Sequence, residues 1–262
     1  MELKNSTILI TGGTSGLGLE FVKQLSEYGA NIIITGRNQK ALDDTKKKFT
    51  NVHTFKSDVS NPKDIETLYK GVIQQFPELN IIINNAGLMR LIDLQDSSLD
   101  LENINQEISV NLSGTIQMVH QFLPHLKTKK SAAIVNVSSG IAFMSYSSAP
   151  IYSATKAGVR AYTQALRLQL EDTSVKVFEM IPPGVKTNLQ KTWEKQPDPA
   201  MMMTADKMVK VAIEGLLKDK KELKPFTIRV IKAASRLFPN VLLNFGHREF
   251  KEIKKLKNQK QQ

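Results

Sequence analysis

Tyr152 and Lys156 stand four positions apart, and Ser139 lies thirteen positions before Tyr152, at the end of the apolar run VNVSS. On a helix, residues four apart share a face, so a phenol and an ammonium can converge there. That pairing suits proton transfer. An unperturbed tyrosine ionises near pH ~10, and a fall of about three units corresponds to roughly 4 kcal/mol of differential stabilisation, for which a neighbouring cation is one source. The bland alternative is that YSATK merely starts a helix. Ser138 competes with Ser139, but a strand alternates faces at each residue, so one of the two faces the site, and Ser139 is the choice.

A second group of residues suits an anion. The stretch TGGTSGLG, Thr11 to Gly18, follows the β-branched and aliphatic run Thr7 to Ile10, and Leu17, Phe21, Val22, Leu25 and Tyr28 then recur at helical spacing up to Gly29. This reads as strand, turn and helix. Glycines let the backbone approach a pyrophosphate, and the first amides of the helix point at it with the positive end of the helix dipole.

Together with NNAG (Asn84 to Gly87) and Asn111, these motifs resemble the short-chain dehydrogenase/reductase family, whose turn reads TGxxxGxG; Thr11, Gly12, Gly16 and Gly18 fit it. The resemblance covers roughly Thr7 to Thr187. It implies a Rossmann-type doubly wound parallel α/β sheet and an oxidoreductase that moves hydride between a nicotinamide and a carbonyl or alcohol. By resemblance Tyr152 is the acid/base, Ser139 holds the substrate oxygen and Lys156 also binds the nicotinamide ribose. Asn111 is expected to hold a water that relays protons to the lysine; otherwise it is a solvent-facing helical asparagine. The cofactor contacts implied are Gly12, Thr14, Ser15, Gly16, Leu17 and Gly18 at the pyrophosphate, Asp58 and Val59 at the adenine, and Asn85, Ala86 and Gly87 at the ribose. Pro182, Val185 and Thr187 are expected at the carboxamide. There the family's PGxVxT is replaced by Pro182-Pro183-Gly184-Val185-Lys186-Thr187, and Pro183 removes an amide donor. A weaker resemblance, from the paired prolines and the C-terminal arrangement, is to a DltE-like bacterial subgroup linked with D-alanylation of lipoteichoic acid.

Cofactor choice is read at the end of the second strand, Gly36-Arg37-Asn38. An acidic residue there favours NAD; Arg37 instead offers a planar fork to a 2′-phosphate, so NADP(H) is expected, with NAD(H) as the alternative and a solvated surface arginine as the bland reading.

Positioning these residues takes alternating strands and helices. Strands are expected at Thr7 to Ile10, Asn31 to Thr35, Val52 to Ser57, Ile81 to Ile83, Ala132 to Val137 and Val175 to Ile181. Helices are expected after Asn38 to Phe49, from Asn61-Pro62 to about Phe76, from about Leu101 to Leu126 with Asn111 in its interior, and from Tyr152 to Glu171. Such alternation predicts right-handed crossovers and a parallel sheet covered on both faces, with ligands at the carboxyl ends of the strands. Residues 1–187 form the dinucleotide-binding and catalytic core, and 188–262 a lid, C-terminal helices and a basic tail of the same domain.

Composition bounds the rest. The 262 residues suit one α/β domain, and the absence of cysteine excludes disulfides and thiol chemistry. No apolar run spans a bilayer and the first strand starts at once, so a cytoplasmic protein is expected. The net charge of +11 is not a nucleic-acid signature: Lys and Arg number 18 against 17 Asp and Glu through Val185, but 18 against 8 from Lys186 onward. His120 and His125 lack carboxylate company, so no metal site is expected, and His53 and His247 show no discernible partners.

Substrate selection is assigned to Leu88 to Leu94, Ile141 to Ser148 and Asn188 to Met203, with Met89, Phe143, Met144, Tyr146, Trp193 and Met201 to Met203 forming an apolar pocket for a lipophilic carbonyl or alcohol, or packing the lid. Phe226, Val230, Ala234, Leu237, Val241 and Phe245 form one helical stripe, opposite Arg229, Lys232 and Arg236, and Pro239 divides it. The stripe is expected to cover the core or a homodimer or homotetramer interface; the sharper alternative is attachment to an anionic membrane surface. KKLKNQKQQ has the composition of a frayed tail. A non-catalytic cofactor-binding regulator or scaffold is the second functional class; retention of all four catalytic positions argues against it.

Overall fold

Short runs of Ile, Val, Leu and Ala become seven parallel strands: β1 (Thr7–Thr11), β2 (Asn31–Gly36), β3 (Val52–Lys56), β4 (Leu79–Asn84), β5 (Ala132–Val137), β6 (Val175–Met180) and β7 (Glu222–Leu223). The computed structural model describes residues 2–190, 193, 198, 200 and 202–260. The sheet order is β3-β2-β1-β4-β5-β6-β7, so the winding reverses between β1 and β4. That reversal opens a crevice at the carboxyl ends of the strands.

Both faces of the central strands are buried, which is why β1, β2 and β5 read as nearly continuous apolar runs and do not alternate with polar residues. Ile8, Ile10, Ile32 and Ile34 pack on one face with Phe21, Val22 and Leu25 of α1 (Gly16–Glu27) and Met208 and Ile213 of α7 (Ala205–Leu217). Leu9, Ile33, Ile82 and Ile134 point to the other, against Leu68 and Val72 of α3 (Pro62–Gln75) and Val119 and Phe122 of α5 (Gly114–Leu126). Full burial of each such side chain contributes about 1.5–3 kcal/mol. The remaining helices are α2 (Gln39–Lys48), α4 (Leu101–Ile108), α6 (Pro150–Gln169), α8 (Phe226–Leu237) and α9 (Pro239–Lys260). No helix among the described residues is long and apolar enough to cross a membrane.

Two sequence expectations change. The helix from Leu101 to Leu126 is interrupted by a π turn at Ser109–Ser113, where the Gly114 amide donates to the Ser109 carbonyl. The helix must pass close to the loop after β3, since a Cβ on Gly114 would lie 2.6 Å from the Val59 carbonyl oxygen. Asn111 lies inside this turn, and one-turn π insertions of this kind recur at functional sites. The tail is also more regular than its composition suggests, because α9 continues to Lys260; residues 261–262 lie outside the described residues.

Candidate active site

The turn after β1 is fixed by backbone conformation and close approach. Gly12 and Gly16 have φ of +66° and +53°, a region that side chains disfavour. A Cβ on Gly18 would lie 2.2 Å from the Gly12 carbonyl oxygen, and one on Gly13, which the motif did not single out, would lie 2.5 Å from the Ile34 side chain. The Gly12 and Gly13 amides donate to the Thr35 carbonyl at 2.9 and 3.2 Å. Thr11 Oγ1 accepts from the Asn85 and Ala86 amides, both at 3.0 Å, while Asn85 Nδ2 donates to the carbonyls of Thr11 and Gly12 at 2.9 and 3.2 Å. Asn85 therefore clamps β4 to the turn.

Ser15 caps α1 with extended backbone and no side-chain capping bond, and the first turn, including Leu17, has no acidic residue. The positive end of the helix dipole thus faces an outside anion without a competing carboxylate. Thr14 lies near Gly36, and Thr187 approaches Gly16, its Cβ 3.3 Å from where a Cβ on that glycine would stand. Gly18→Ala is expected to destabilise the fold by about 1–3 kcal/mol through overpacking and to weaken dinucleotide binding; thermal melting with and without dinucleotide measures both effects.

At the outer end of the crevice Arg37 is 66% exposed, with Nη1 3.7 Å from Asp58 Oδ2. Asp58 Oδ1 accepts from the Ser60 amide and hydroxyl at 2.9 and 2.7 Å. Val59 is buried in the core.

The reactive cluster gathers at the next strand ends. Tyr152 and Lys156 lie on the inward face of α6 and are buried, with Lys156 Nζ 5.6 Å from the phenol ring centroid. Nζ donates to the Val137 carbonyl at 2.8 Å. Ser139 faces Tyr152 and hydrogen-bonds it, whereas Ser138 points the other way and donates to Glu179 Oε1 at 2.7 Å. Gly87 lies against both Asn111 and Lys156: a Cβ there would stand in ordinary contact with Asn111 Oδ1 at 3.5 Å and Lys156 Nζ at 3.6 Å. Asn111 Oδ1 accepts from the Leu88 amide at 2.8 Å, and its Nδ2 donates to the Leu88 carbonyl and Thr155 Oγ1 at 2.8 and 3.1 Å. These bonds engage the side-chain amide, so in this geometry Asn111 straps the β4 loop to α6. Asn111 is also fully buried, which corrects the alternative reading of a solvent-facing helical asparagine.

Burial pushes Tyr152 above the ordinary tyrosine range, aided by the Glu107 carboxylate and opposed by the Ser139 hydrogen bond. Burial also lowers the Lys156 ammonium to about 8. The protein alone therefore holds Tyr152 as a proton donor; the depression expected of Lys156 acting together with an oxidised nicotinamide concerns the loaded site. Glu107, unremarked in the sequence, is fully buried; Oε1 accepts from the Arg90 amide at 2.7 Å, and burial raises its carboxyl.

Around the cluster, Ile141, Ala149 and Tyr152 pack with Met89, Leu91 and Tyr146. Met144 is buried and Trp193 half-buried. Pro182 accepts from the Gly140 amide at 2.8 Å, and Val185 is buried and bridges Met203. Met201 lies outside the described residues.

The C-terminal helices close this wall with their unexpected side. Ile228 is the buried residue of α8, and a Cβ on Gly140 would lie 2.7 Å from its Cδ1. Lys232, placed opposite the apolar stripe by the sequence, turns inward to Glu222 at 2.7 Å. Glu222 also pairs with Arg160 at 3.4 Å, and Arg160 pairs with buried Glu179 at 2.7 Å and stacks 4.3 Å from the Phe143 ring centroid. On α9, a Cβ on Gly246 would lie 2.5 Å from the Ser145 carbonyl oxygen, His247 Nδ1 lies 2.8 Å from Ser147 Oγ, and Glu249 accepts from Ser148 Oγ at 2.8 Å. His247 thus has a partner, and His53 lies against Phe76 with ring centroids 4.5 Å apart. The stripe expected to be covered faces outward: Phe226 and Leu237 are 73% and 71% exposed. Helical periodicity identified the stripe but not which side meets the protein.

Residues 6–198 match the family profile described as short chain dehydrogenase. An uncharacterised oxidoreductase, DltE, of Bacillus subtilis is 38% identical over 237 residues, 90% of this chain and 94% of its own. An uncharacterised oxidoreductase of Staphylococcus epidermidis is 32% identical over 187 residues, 71% of this chain and 80% of its own. Among solved structures, a short-chain dehydrogenase of Burkholderia cenocepacia in complex with NADP superposes with a TM-score of 0.78 at 24% identity, covering 92% of this chain and 97% of that one. A short-chain dehydrogenase/reductase of Burkholderia phymatum in complex with NAD gives 0.79 at 21% identity, covering 88% and 93%.

Proposed function

The chain belongs to the short-chain dehydrogenase/reductase family, and from that premise we propose that it is an NADP(H)-dependent reductase of a carbonyl substrate, with Tyr152 as proton donor. The observation that carries this reading is the meeting of Tyr152, Lys156 and Ser139 beside Gly87, at the crevice that begins with the Gly12-to-Gly18 turn. The residues present fit a dinucleotide: positive-φ glycines, an α1 start with no capping side chain, and a Gly18 whose close approach to the Gly12 carbonyl leaves no room for a Cβ. A bound nicotinamide supplies the hydride.

This chain's residues do the remainder. Ser139 Oγ hydrogen-bonds the substrate oxygen and sets it against the phenol. Tyr152, kept protonated through the neutral range, gives its proton to that oxygen as negative charge develops. Lys156, held by the Val137 carbonyl, places a cation near the phenolate that remains and offers its other protons to a ribose hydroxyl. Asn111 acts as a positioning residue, since its bonds fix Leu88 and hence the loop that carries Gly87. Turnover across a panel of aldehydes and ketones, followed by cofactor absorbance, tests the assignment; no turnover with any of them alongside intact dinucleotide binding overturns it.

Arg37 supports the choice of NADP(H). It is exposed at the end of β2, and its contact with Asp58 is a loose surface pair, worth ~1 kcal/mol or less, which a 2′-phosphate can displace. NADPH is expected to bind more tightly than NADH. Arg37→Ala is expected to weaken NADPH by roughly 10- to 100-fold, the scale of a charged hydrogen-bonded contact, with little change for NADH. Titration of both cofactors checks this, and tighter NADH binding by the unaltered protein refutes it.

A further inference from the structure

We propose that the outward face of α8 and α9 docks on an anionic bilayer surface. On α8, Phe226, Val230 and Leu237 fall on one side of the helix, opposite Ile228, which is buried against Gly140. Phe238 and Val241 continue the exposed apolar strip at 60% and 65%, and Phe245 extends it along α9. Monomeric proteins seldom leave so contiguous a set of large apolar side chains in water.

The borders of the strip identify its occupant. Arg229 and Arg236 flank it on α8, and Arg248, Lys251 and Lys255 extend the same outward side of α9; all five are exposed. Between Phe226 and Lys255 the carboxylates are Glu249, turned inward to Ser148, and Glu252. An apolar strip bordered by arginine and lysine is the arrangement that lies in a lipid interface, with the side chains in the acyl boundary and the cations among phosphates. A second copy of this chain brings the same basic border and no matching set of carboxylates, so self-pairing leaves those charges unneutralised. The inward side of these helices holds the loop from Ser145 to Ser148 beside the reactive cluster, so docking sets the substrate mouth one helix diameter, about 10 Å, from the lipid. The docking proposal does not depend on the chemistry proposed above.

The test is flotation of the purified full chain with phosphatidylcholine vesicles and with vesicles containing phosphatidylglycerol, at low and high salt. Binding is expected on the anionic vesicles only, weakening with salt. Arg229→Gln combined with Arg236→Gln is expected to lower the partition coefficient roughly 30-fold, since each basic residue near the surface contributes a factor of about five. Leu237→Asp is expected to abolish flotation while melting and dinucleotide binding stay unchanged. No binding to anionic vesicles at low salt, equal binding to both vesicle types, or undiminished binding of Leu237→Asp overturns the proposal. So does a dimer that Leu237→Asp dissociates and whose formation excludes vesicle binding.

Discussion

Tyr152→Phe is expected to lower kcat by roughly 10²- to 10⁴-fold, the range for removing a positioned proton donor, while dinucleotide affinity changes little. The substitution deletes one oxygen from a ring that is otherwise packed by Ile141, Ala149, Met89 and Leu91, so the wall of the site survives. Since burial holds the phenol above its ordinary range, the donor is fully protonated at neutral pH. The reductive rate limited by this proton should be flat there, and alcohol oxidation, which needs the phenolate, should rise with pH. Stopped-flow measurement of a single turnover in each direction separates these outcomes. Unchanged reductive turnover in the Phe variant would remove Tyr152 from the chemistry.

Lys156→Met is expected to separate stability from activity. Burial lowers the ammonium from the ordinary 10.5 to about 8 in the folded protein. The unfolded chain therefore holds the proton more strongly, and stability rises with pH between those values. Below about pH 8 the folded state carries the full penalty of a buried cation, about 3 kcal/mol, and above about 10.5 it carries none. Methionine fills a similar volume without charge but loses the bond to the Val137 carbonyl, about 1 kcal/mol. At neutral pH the dinucleotide-free variant should gain about 2 kcal/mol, or about 4–8 °C in Tm, and the gain should shrink as pH rises from about 8. Catalysis should fall by roughly 10²- to 10³-fold as the cation beside the phenol disappears. Calorimetry across pH and initial rates give the two readouts; a variant less stable at neutral pH would contradict the linkage.

Much of this was legible because strand and crossover patterns constrain topology. Short β-branched runs alternating with helical patterns named six of the seven strands, and Gly12, Gly16 and Gly18 marked a turn that backbone geometry demands. The two-residue β7 was too short to show a period. Strand alternation implied that only one of Ser138 and Ser139 faces the site, the family spacing chose Ser139, and the two side chains do diverge. The π turn was not legible, because it arises from tertiary contacts: Gly114 passing Val59 and Asn111 bonding Leu88. The phenol's raised range escaped for a related reason, since sequence spacing reports Lys156 but not the extent of burial or the approach of Glu107. Of the coverings expected for the α8 stripe, only the core is excluded, because both sides of the helix carry apolar residues and a single buried contact, Ile228 on Gly140, decides which one meets the protein.

Tyr152, Lys156 and Arg160 follow one another at four-residue steps along α6, and the third of them grips Glu179 and Glu222. The segment that shapes the substrate wall is thereby bolted to the reactive helix by charges on both sides of the sheet edge. A chimera that imports other terminal helices after Glu222 keeps the Arg160 counter-ion but has to supply a cation where Lys232 stands. A splice ahead of Glu222 leaves Arg160 with Glu179 and makes the second carboxylate a requirement on the graft.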